Sequence, residues 1–335
     1  MLLIAFGTRP EWIKIKPVIQ AIEGKIPYKL LFTGQHSSLV DEIASEFTHI
    51  TLEIEDVCDT RLDSIVASIL KQIPYDMYGA THVMVQGDTT TVFAVALAAF
   101  HRQIPIIHLE AGLRTYDKSQ PYPEEFNRQA VGAMADIHLC PTQLSKENLI
   151  KEGKHRRIYV VGNTALDNLK NQKSVGQTHV LCTLHRRENH KQIQKWFKAI
   201  NILAGEHPEY LWVLPIHPNP NVSRHEYILD NVVVTDPLPH GSLLDLIKRS
   251  KMIITDSGGI QEEAAFFKKP CIVCRNKTER QEGVGEFSWL CKRPRELTDL
   301  FHRLKDHNID TNLECPYGNG NASEKILNIL KSNII

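Results

Sequence analysis

Short apolar runs that alternate with amphipathic stretches limit the fold of this chain more than any other feature of its sequence. Such runs, separated by segments of helical periodicity, are typical of buried parallel strands joined by crossover helices. We therefore predict an α/β protein built from doubly wound parallel sheets. The first series of runs is Leu2–Phe6, Lys29–Phe32, His82–Val85, Ile104–Leu109, Ile137–Leu139 and Ile158–Val161, and the second is Val180–Thr183, Leu211–Leu214, Val232–Val234, Met252–Thr255 and Pro270–Val273.

The length of the chain predicts two domains. Its 335 residues exceed the size at which a single hydrophobic core usually stops growing. The turn at Gly162-Asn163 and the polar stretch Lys170–Ser174 separate the two series of runs. We predict Rossmann-like domains over residues 1–168 and 169–320 that face each other across a cleft, with ligands bound beyond the carboxyl ends of the strands.

The charge balance argues against nucleic acid and membranes as partners. Lysine plus arginine and aspartate plus glutamate number 39 each, so no long-range field attracts a polyanion. The apolar start Met1–Phe6 lacks a basic leader, and no apolar run approaches the roughly 18 residues of a membrane span. We expect a cytoplasmic protein that holds an anionic ligand with local groups.

The cysteines and histidines predict neither a disulfide framework nor a metal site. The seven cysteines are scattered through a long chain and are expected to be reduced. Cys271 and Cys274 have CxxC spacing, but they lie in an apolar run without a second pair, which favours core packing over zinc binding. The sixteen histidines include no HExxH or comparable motif.

Two turns at strand ends predict anion binding at helix amino termini. The turn Phe6–Trp12 combines a glycine with a proline suited to a first helical turn, and Arg9 and Lys14 add positive charge. These cations would oppose the helix dipole without an anion; the alternative is a solvated helix start. Ser257, Gly258 and Gly259 repeat the arrangement in the second series, with Glu263 one helical turn further on for a ribose hydroxyl.

Three acidic residues stand where ligand chemistry is expected. Asp88 and Glu110 end apolar runs, and Glu124 begins a predicted helix after two prolines. Helix capping is an alternative role for Asp88, and a favourable interaction with the helix dipole is one for Glu124. Glu110 follows a buried run directly and has no such alternative. Carboxyl groups gathered in one site allow one to act as general acid while another acts as general base.

Histidines and an arginine follow strands of the second series. His185 lies in the segment Thr183–Asn189, and His217 lies on a loop made rigid by neighbouring prolines. A histidine on such a rigid loop is more typical of a functional role than of a structural one. Arg280 precedes a glycine turn and is predicted to bind a phosphate.

Together these segments resemble the UDP-N-acetylglucosamine 2-epimerase family, in its non-hydrolysing branch. They follow the family order over nearly the whole chain. The resemblance implies a glycosyltransferase-B-like fold in which a carboxyl-terminal helix within residues 321–335 returns to the first domain. The matching segments are GTRPEWIKIKPV, TGQH, VQGDTTT, HLEAGLRT, PYPEEFNR, GNTALDNL, TLHRREN, PIHPNPN, TDSGGIQEEA, TERQEG and PYGNGNAS.

The resemblance also implies roles for individual residues. In the loop predicted to hold uracil, Pro237–Leu244, the family pattern has an aromatic residue where this chain has Leu243, which removes a stacking contact. Ser37-Ser38-Leu39 replaces larger side chains beside the family's activator site, so we expect weakened activator binding. The implied catalytic residues are Asp88, Glu110, Glu124 and His217; the implied substrate-binding residues are Arg9, Lys14, Arg128, His185, Leu243, Ser257, Gly258, Gly259, Glu263 and Arg280; the candidate activator residues are Gln35, His36 and Arg186.

The implied reaction inverts C2 of UDP-N-acetylglucosamine. Elimination of UDP produces 2-acetamidoglucal, and addition of UDP with the proton on the other face produces UDP-N-acetylmannosamine. The reaction needs no cofactor, and the first turn lacks the GxGxxG pattern of dinucleotide domains. The expected partners are a UDP-sugar and a second copy of the chain in a homodimer.

Four alternatives remain open from the sequence. One is a hydrolysing epimerase that releases N-acetylmannosamine and UDP. A second is a 2-epimerase of a modified UDP-sugar, and a third is a glycosyltransferase of the same architecture. The last is an inactive sugar-nucleotide sensor, against which the three acids and His217 argue.

Overall fold

The chain folds into two compact units. The computed structural model describes residues 1–35 and 46–334. Unit 1 comprises Met1–Lys170 together with Gly318–Ile335, and unit 2 comprises Asn171–Tyr317. The sequence placed these boundaries after residues 168 and 320, a few residues from where the chain divides.

Unit 1 contains a parallel sheet covered by helices. Its strands are β1 (Leu2–Phe6), β2 (Tyr28–Phe32), β3 (Ile50–Thr51), β4 (His82–Gln86), β5 (Ile106–Leu109), β6 (Ile137–Cys140) and β7 (Ile158–Val160). They lie in the order β3-β2-β1-β4-β5-β6-β7, and every pairing is parallel. In the described residues its helices are α1 (Arg9–Ile22), α2 (Arg61–Gln72), α3 (Thr90–His101), α4 (Glu124–Met134), α5 (Gln143–Lys151) and, after unit 2, α11 (Ala322–Ile334).

Unit 2 repeats this design with a second parallel sheet. Its strands are β8 (His179–Thr183), β9 (Leu211–Pro215), β10 (Val233–Thr235), β11 (Ser250–Thr255), β12 (Cys271–Val273) and β13 (Ser288–Leu290), in the order β10-β9-β8-β11-β12-β13. Its helices are α6 (Ile193–Glu206), α7 (Pro220–Ser223), α8 (His240–Arg249), α9 (Gly258–Phe266) and α10 (Leu297–Leu304). Among the residues that the structure describes, turns of 3-10 helix lie at Met77–Gly79, Thr164–Leu169, Arg187–Gln192, Glu226–Ile228, Gln281–Gly283 and Pro294–Glu296.

The strand order reverses once in each sheet. In unit 1 the reversal lies between β1 and β4, and in unit 2 it lies between β8 and β11. Connections from such neighbouring strands leave in opposite directions, so a crevice forms at their carboxyl ends, and ligands of doubly wound sheets bind there. The turns after these four strands are therefore the places to look for a site.

The cores explain why the strands read as nearly continuous apolar runs. In β1, Leu2, Ile4 and Phe6 pack on one face of the sheet, while Leu3 and Ala5 pack on the other. Every residue of β1 is buried. A parallel sheet with helices on both faces leaves no solvated side, which removes the alternation of polar and apolar residues seen in half-exposed strands.

The predicted strands are confirmed, but two edge strands were missed. The strand β3 has two residues, and β13 has the sequence Ser288-Trp-Leu290. Edge strands this short carry no periodicity that distinguishes them from loops. The predicted runs also differ from the strands at their ends, since β5 begins at Ile106 and β7 ends at Val160.

The chain returns to unit 1 through α11, and Asp167 of unit 1 binds the start of this helix. The Asp167 carboxylate accepts hydrogen bonds from the backbone N–H groups of Ala322, at 3.0 Å, and Ser323, at 2.7 Å. These N–H groups begin α11 and have no partner within the helix, so Asp167 satisfies them. Ile326 and Leu330 then pack in the same core cluster as Trp12 of α1.

Most of the cysteines pack in the cores. None of the seven, all of which lie in the described residues, forms a disulfide bond. Cys271 and Cys274 are fully buried, and burial raises the pKa of both thiols. None of the helices in the described ranges combines the length and the apolar character needed to cross a bilayer.

We predict that Gly112→Ala lowers the thermal unfolding midpoint more than Gly153→Ala does. Both glycines have positive φ, +86° and +82°, so both substitutions carry the roughly 1 kcal/mol cost of left-handed backbone. At Gly112 the new Cβ would lie 2.1 Å from the carbonyl oxygen of Ser145, whereas nothing lies within 4 Å at Gly153. Overpacking should add about 1–3 kcal/mol at Gly112 alone. Equal losses in both variants, measured by differential scanning fluorimetry, would show that the turn relaxes freely.

Candidate functional site

The turn after β1 is held by a buried carboxyl group. Glu11, in the first turn of α1, accepts a hydrogen bond from the Gly7 N–H at 2.6 Å and one from the Thr89 hydroxyl at 2.6 Å. Thr89 begins α3 after β4, so Glu11 joins the two turns beside the strand-order reversal. Burial raises the pKa of Glu11 to about 7. Near neutral pH this carboxyl group therefore holds a proton in a substantial fraction of molecules.

Glu110 has a left-handed backbone conformation at the end of β5, with φ 66°. Its carboxylate accepts hydrogen bonds from the Lys14 ammonium at 2.6 Å and from the Gln86 amide. A non-glycine residue with positive φ carries strain that the surrounding contacts offset. Lys14 and Gln86 supply such contacts. They come from α1 and β4, which lie beside the strand-order reversal. The predicted acid Glu110 is thus brought to that position.

Asp88 is held by the helix that Glu124 begins. The Arg128 guanidinium donates two hydrogen bonds to Asp88, one of them from Nε at 3.0 Å, and the Asn127 amide donates to its backbone carbonyl at 2.9 Å. Capping of α3 is performed by Thr89, whose side chain accepts from the Val92 N–H. The alternative role of Asp88 as a helix cap is therefore wrong.

Glu124 is the first residue of α4, as the sequence predicted, and its neighbour Glu125 has a different function. Glu125 is fully buried and accepts hydrogen bonds from the Thr115 N–H at 3.0 Å and the Tyr116 N–H at 2.9 Å. It also contacts Arg128 at 3.3 Å. Glu125 therefore fixes the guanidinium that holds Asp88, while Glu124 occupies the helix start.

In unit 2 the turn after β8 is tied to the turn after β11 by Asp256. This fully buried carboxylate accepts from the backbone N–H groups of His185, at 3.0 Å, and Arg186, at 2.9 Å. The Asn189 amide donates to the same oxygen, also at 2.9 Å. The segment Thr183–Asn189 is thereby fixed beside the strand-order reversal of the second sheet.

His185 and His217 form a stacked pair. Their ring centroids lie 5.6 Å apart with an interplanar angle of 14°. Burial lowers the pKa of both rings, and the charge of His190 adds to this for His217. Since the Asn219 N–H donates to Nδ1 of His217 at 3.1 Å, the proton of the neutral ring lies on Nε2. His217 is therefore a hydrogen-bond donor through Nε2.

The turn after β11 leads directly into the start of α9. Ser257 is the N-cap of α9 but makes no capping hydrogen bond with its side chain, and the space beside Gly259 is open. The Arg280 guanidinium packs against Gly258, where a Cβ would lie 3.1 Å from its central carbon. Arg280 is buried and also bonds Glu262 at 2.9 Å and Glu279. A positive helix end and a fixed guanidinium thus lie side by side.

Two residues predicted to contact the nucleotide lie on α8 and α9. Glu263 bonds Nε2 of His240 at 2.6 Å, at the start of α8. Leu243 is half-buried in α8, so the predicted uracil loop Pro237–Leu244 includes the first turn of a helix. The pair Glu263–His240 joins α9 to α8.

The candidate activator residues are described only in part. Gln35 accepts a hydrogen bond from the Thr91 hydroxyl at 2.6 Å, and the backbone N–H of Arg186 bonds Asp256. His36 and Ser37-Ser38-Leu39 lie outside the described residues. Arg9 is exposed at the first position of α1.

Sequence reasoning missed the residues that orient the predicted ones. Gln86, Glu125 and Asp256 stand close in sequence to residues singled out for chemistry, and each is buried. A buried polar residue near a strand end is a usable signal, because burial requires partners for its polar atoms. His108 belongs to this group: its Nε2 donates to the Gly87 carbonyl at 2.8 Å, and burial lowers its pKa to about 3.

The fold is similar to that of a known glycosyltransferase. The glycosyltransferase SnogD from Streptomyces nogalater matches the chain with a TM-score of 0.57 at 16% identity, over 98% of this chain and 94% of that one. This likeness shows a glycosyltransferase-B type of fold.

The family is shown by closer relatives. A family model described as UDP-N-acetylglucosamine 2-epimerase matches residues 20–331. A UDP-N-acetylglucosamine 2-epimerase of Campylobacter jejuni is 38% identical, over 98% of this chain and 97% of that protein. The structure of UDP-GlcNAc 2-epimerase from Neisseria meningitidis bound to UDP-GlcNAc has a TM-score of 0.88 and 35% identity, over 99% of this chain and all of that one (100%). The chain belongs to the UDP-N-acetylglucosamine 2-epimerase family.

We predict that Glu11→Gln removes a loss of stability that the wild type shows as pH rises. Because the pKa of Glu11 is raised to about 7, the folded state keeps a proton that the unfolded state releases at about pH 4.3. The free energy of unfolding of the wild type should fall between about pH 4.3 and about pH 7 and remain lower at higher pH. Between pH 5 and pH 8 the variant should gain roughly 2 to 3 kcal/mol of stability relative to the wild type.

Thermal unfolding at pH 5 to 8 measures this difference. Glutamine resembles the protonated acid, since its amide can donate to Thr89 while its oxygen accepts from Gly7. The exposed substitution Glu147→Gln is the control and should not change the pH dependence. Parallel curves for the wild type and Glu11→Gln would contradict the assignment of a raised pKa.

Proposed function

We propose that this chain interconverts UDP-N-acetylglucosamine and UDP-N-acetylmannosamine by eliminating and re-adding UDP. The observation that carries the proposal is the position of the polar residues in both sheets. Each sheet collects them at its strand-order reversal, with carboxylates in unit 1 and an open helix start in unit 2. Membership of the family supports the same reaction.

Unit 2 is suited to hold the departing diphosphate. The amino terminus of α9 offers backbone N–H groups at Ser257–Gly259, and the helix dipole favours negative charge there. His217 adds a neutral donor through Nε2. Charge arrives on the diphosphate as the C1–O bond breaks, and donors that are already oriented would stabilise it. Stabilisation of this electrostatic kind supplies much of the rate enhancement in many enzymes.

Unit 1 is suited to move the proton at C2. Asp88, Glu110 and Glu124 supply carboxyl groups, and the reaction needs one group on each face of the sugar to remove and return this proton. Arg128 and Glu125 fix Asp88, while Lys14 and Gln86 fix Glu110. We propose that Lys14 and Arg128 serve the substrate chiefly by orienting these acids. Arg9, exposed at the start of α1, would contact the nucleotide sugar directly.

The alternatives differ in their products. A hydrolysing epimerase would release N-acetylmannosamine, and a glycosyltransferase would leave the UDP-sugar unchanged without an acceptor. A modified UDP-sugar would use the same acids with other contacts. The homodimer, the cytoplasmic location and weakened activator binding stay predictions.

Incubation in deuterated water should separate these reactions. We expect proton NMR to show UDP-N-acetylmannosamine formed from UDP-N-acetylglucosamine, with deuterium at C2 of the product. Re-addition should also place deuterium at C2 of recovered substrate, because the elimination is reversible. Free N-acetylmannosamine as the main product would favour the hydrolysing branch. Unchanged substrate without deuterium would contradict the proposal.

We predict that Asp88→Asn, Glu110→Gln and Glu124→Gln each lower kcat by at least about a hundredfold, the usual scale of general acid or base catalysis. UDP affinity, measured by calorimetry, should stay within a few-fold because the diphosphate is assigned to unit 2. The exposed Glu147→Gln is the matched control and should keep wild-type kcat. Near-wild-type turnover in any two of the three variants would remove the chemistry from those residues.

A further inference from the structure

A second group of chemically active side chains lies in unit 2, away from the strand-order reversal. Glu206 is the last residue of α6, His207 follows it directly, and His302 lies in α10. One ligand atom of each lies within 4.8 Å of the others, and the Glu206 carboxylate is 3.7 Å from Nε2 of His302. No sequence motif predicts this group, because the two helices that supply it lie far apart in the chain and meet only in the folded unit.

His207 is the buried member of the group. It is only 8% exposed, and its ring packs against Phe301 with centroids 5.1 Å apart. Nδ1 bonds the Glu209 carboxylate at 2.9 Å. Nε2 is buried and makes no hydrogen bond with any described residue. A buried nitrogen without a partner costs free energy unless a ligand satisfies it.

The contact between His207 and Glu209 is of the kind that supports metal ligands. A ligating histidine usually gives its other nitrogen to a carboxylate, which fixes the ring and raises the basicity of the ligand. An ion pair between Glu206 and His302 alone would contribute little, since both side chains are about half exposed, 48% and 45%. Such a pair also leaves the second nitrogen of His207 unexplained.

The position of these three side chains in the fold favours the binding of a cation. The group lies at the carboxyl end of α6, where the helix dipole is negative and the last carbonyl groups lack helical partners. The side chains of Glu206 and His302 can move, because both are half exposed, whereas the His207 ring is held. Modest rotations would bring three ligands to the roughly 2.0–2.2 Å distances of zinc sites.

We propose that Glu206, His207 and His302 bind a divalent transition-metal cation, with Zn²⁺ as the best fit. Two imidazoles and one carboxylate suit zinc, whereas magnesium and calcium prefer ligand sets made of oxygen. The metal joins the end of α6 to α10 and so stabilises unit 2. The site is independent of the reaction proposed for this chain.

Calorimetric titration of the full chain with ZnCl₂ tests the proposal. Cys58→Ser and Cys315→Ser form the background, because these are the cysteines that are not buried. We expect one Zn²⁺ site that His302→Ala and Glu206→Gln each weaken at least about tenfold. Zinc should raise the thermal unfolding midpoint of the background protein, since a ligand that binds only the folded state stabilises it. Both variants should lose most of that rise.

His101→Ala is the matched control, because His101 is also an exposed histidine at the end of a helix. It should leave zinc affinity and the zinc-dependent midpoint unchanged. The two test variants replace half-exposed side chains, and their melting without zinc shows that they fold. Zinc affinity that is equal in the background protein, His302→Ala and Glu206→Gln would overturn the proposal, as would a background protein that binds no zinc.

Discussion

The reversal of strand order is the constraint on which the chemistry of both units depends. Parallel strands bring their carboxyl ends to one edge, and the reversal makes the connections of the two central strands diverge. Residues far apart in the chain, such as Lys14 and Glu110, therefore meet at 2.6 Å. The same geometry in the second sheet brings Asp256 to His185. Burial on both faces requires the strand residues to be apolar. It places no such requirement on the turn residues, which can therefore be polar or charged.

Both units hold these turns with buried carboxyl groups. Glu11, Glu125 and Asp256 each accept hydrogen bonds from backbone N–H groups of a neighbouring turn. An ionised carboxylate without such donors would be expensive to bury, and the donors would be equally expensive to leave unpaired. These acids have structural roles, and they orient the groups that we propose to contact a ligand. Glu125 is buried and fixes Arg128, whereas its neighbour Glu124 is the residue that we propose takes part in the reaction.

Much of the fold was predictable because its signal is local. Apolar runs, the glycines that begin α9 and the proline in the first turn of α1 mark strands and helix starts within a few residues. The partnerships inside the site were not predictable in this way. That Arg128 holds Asp88 depends on where α4 lies beside β4, and the pairing of His207 with His302 depends on packing between α6 and α10. Edge strands such as β3 were missed because two residues show no period.

Because α11 completes the core of unit 1, it determines the order in which the two units can complete their cores during synthesis. Residues 1–170 leave part of their core uncovered until Ile326 and Leu330 reach Trp12, and Asp167 lacks the N–H groups that it caps. Unit 2 is continuous in sequence, from Asn171 to Tyr317, and has all its strands before α11 is synthesised. On a translating ribosome the second unit is therefore the first that can complete its core. The earlier-synthesised unit must wait, with apolar surface exposed, until residues 322–334 emerge.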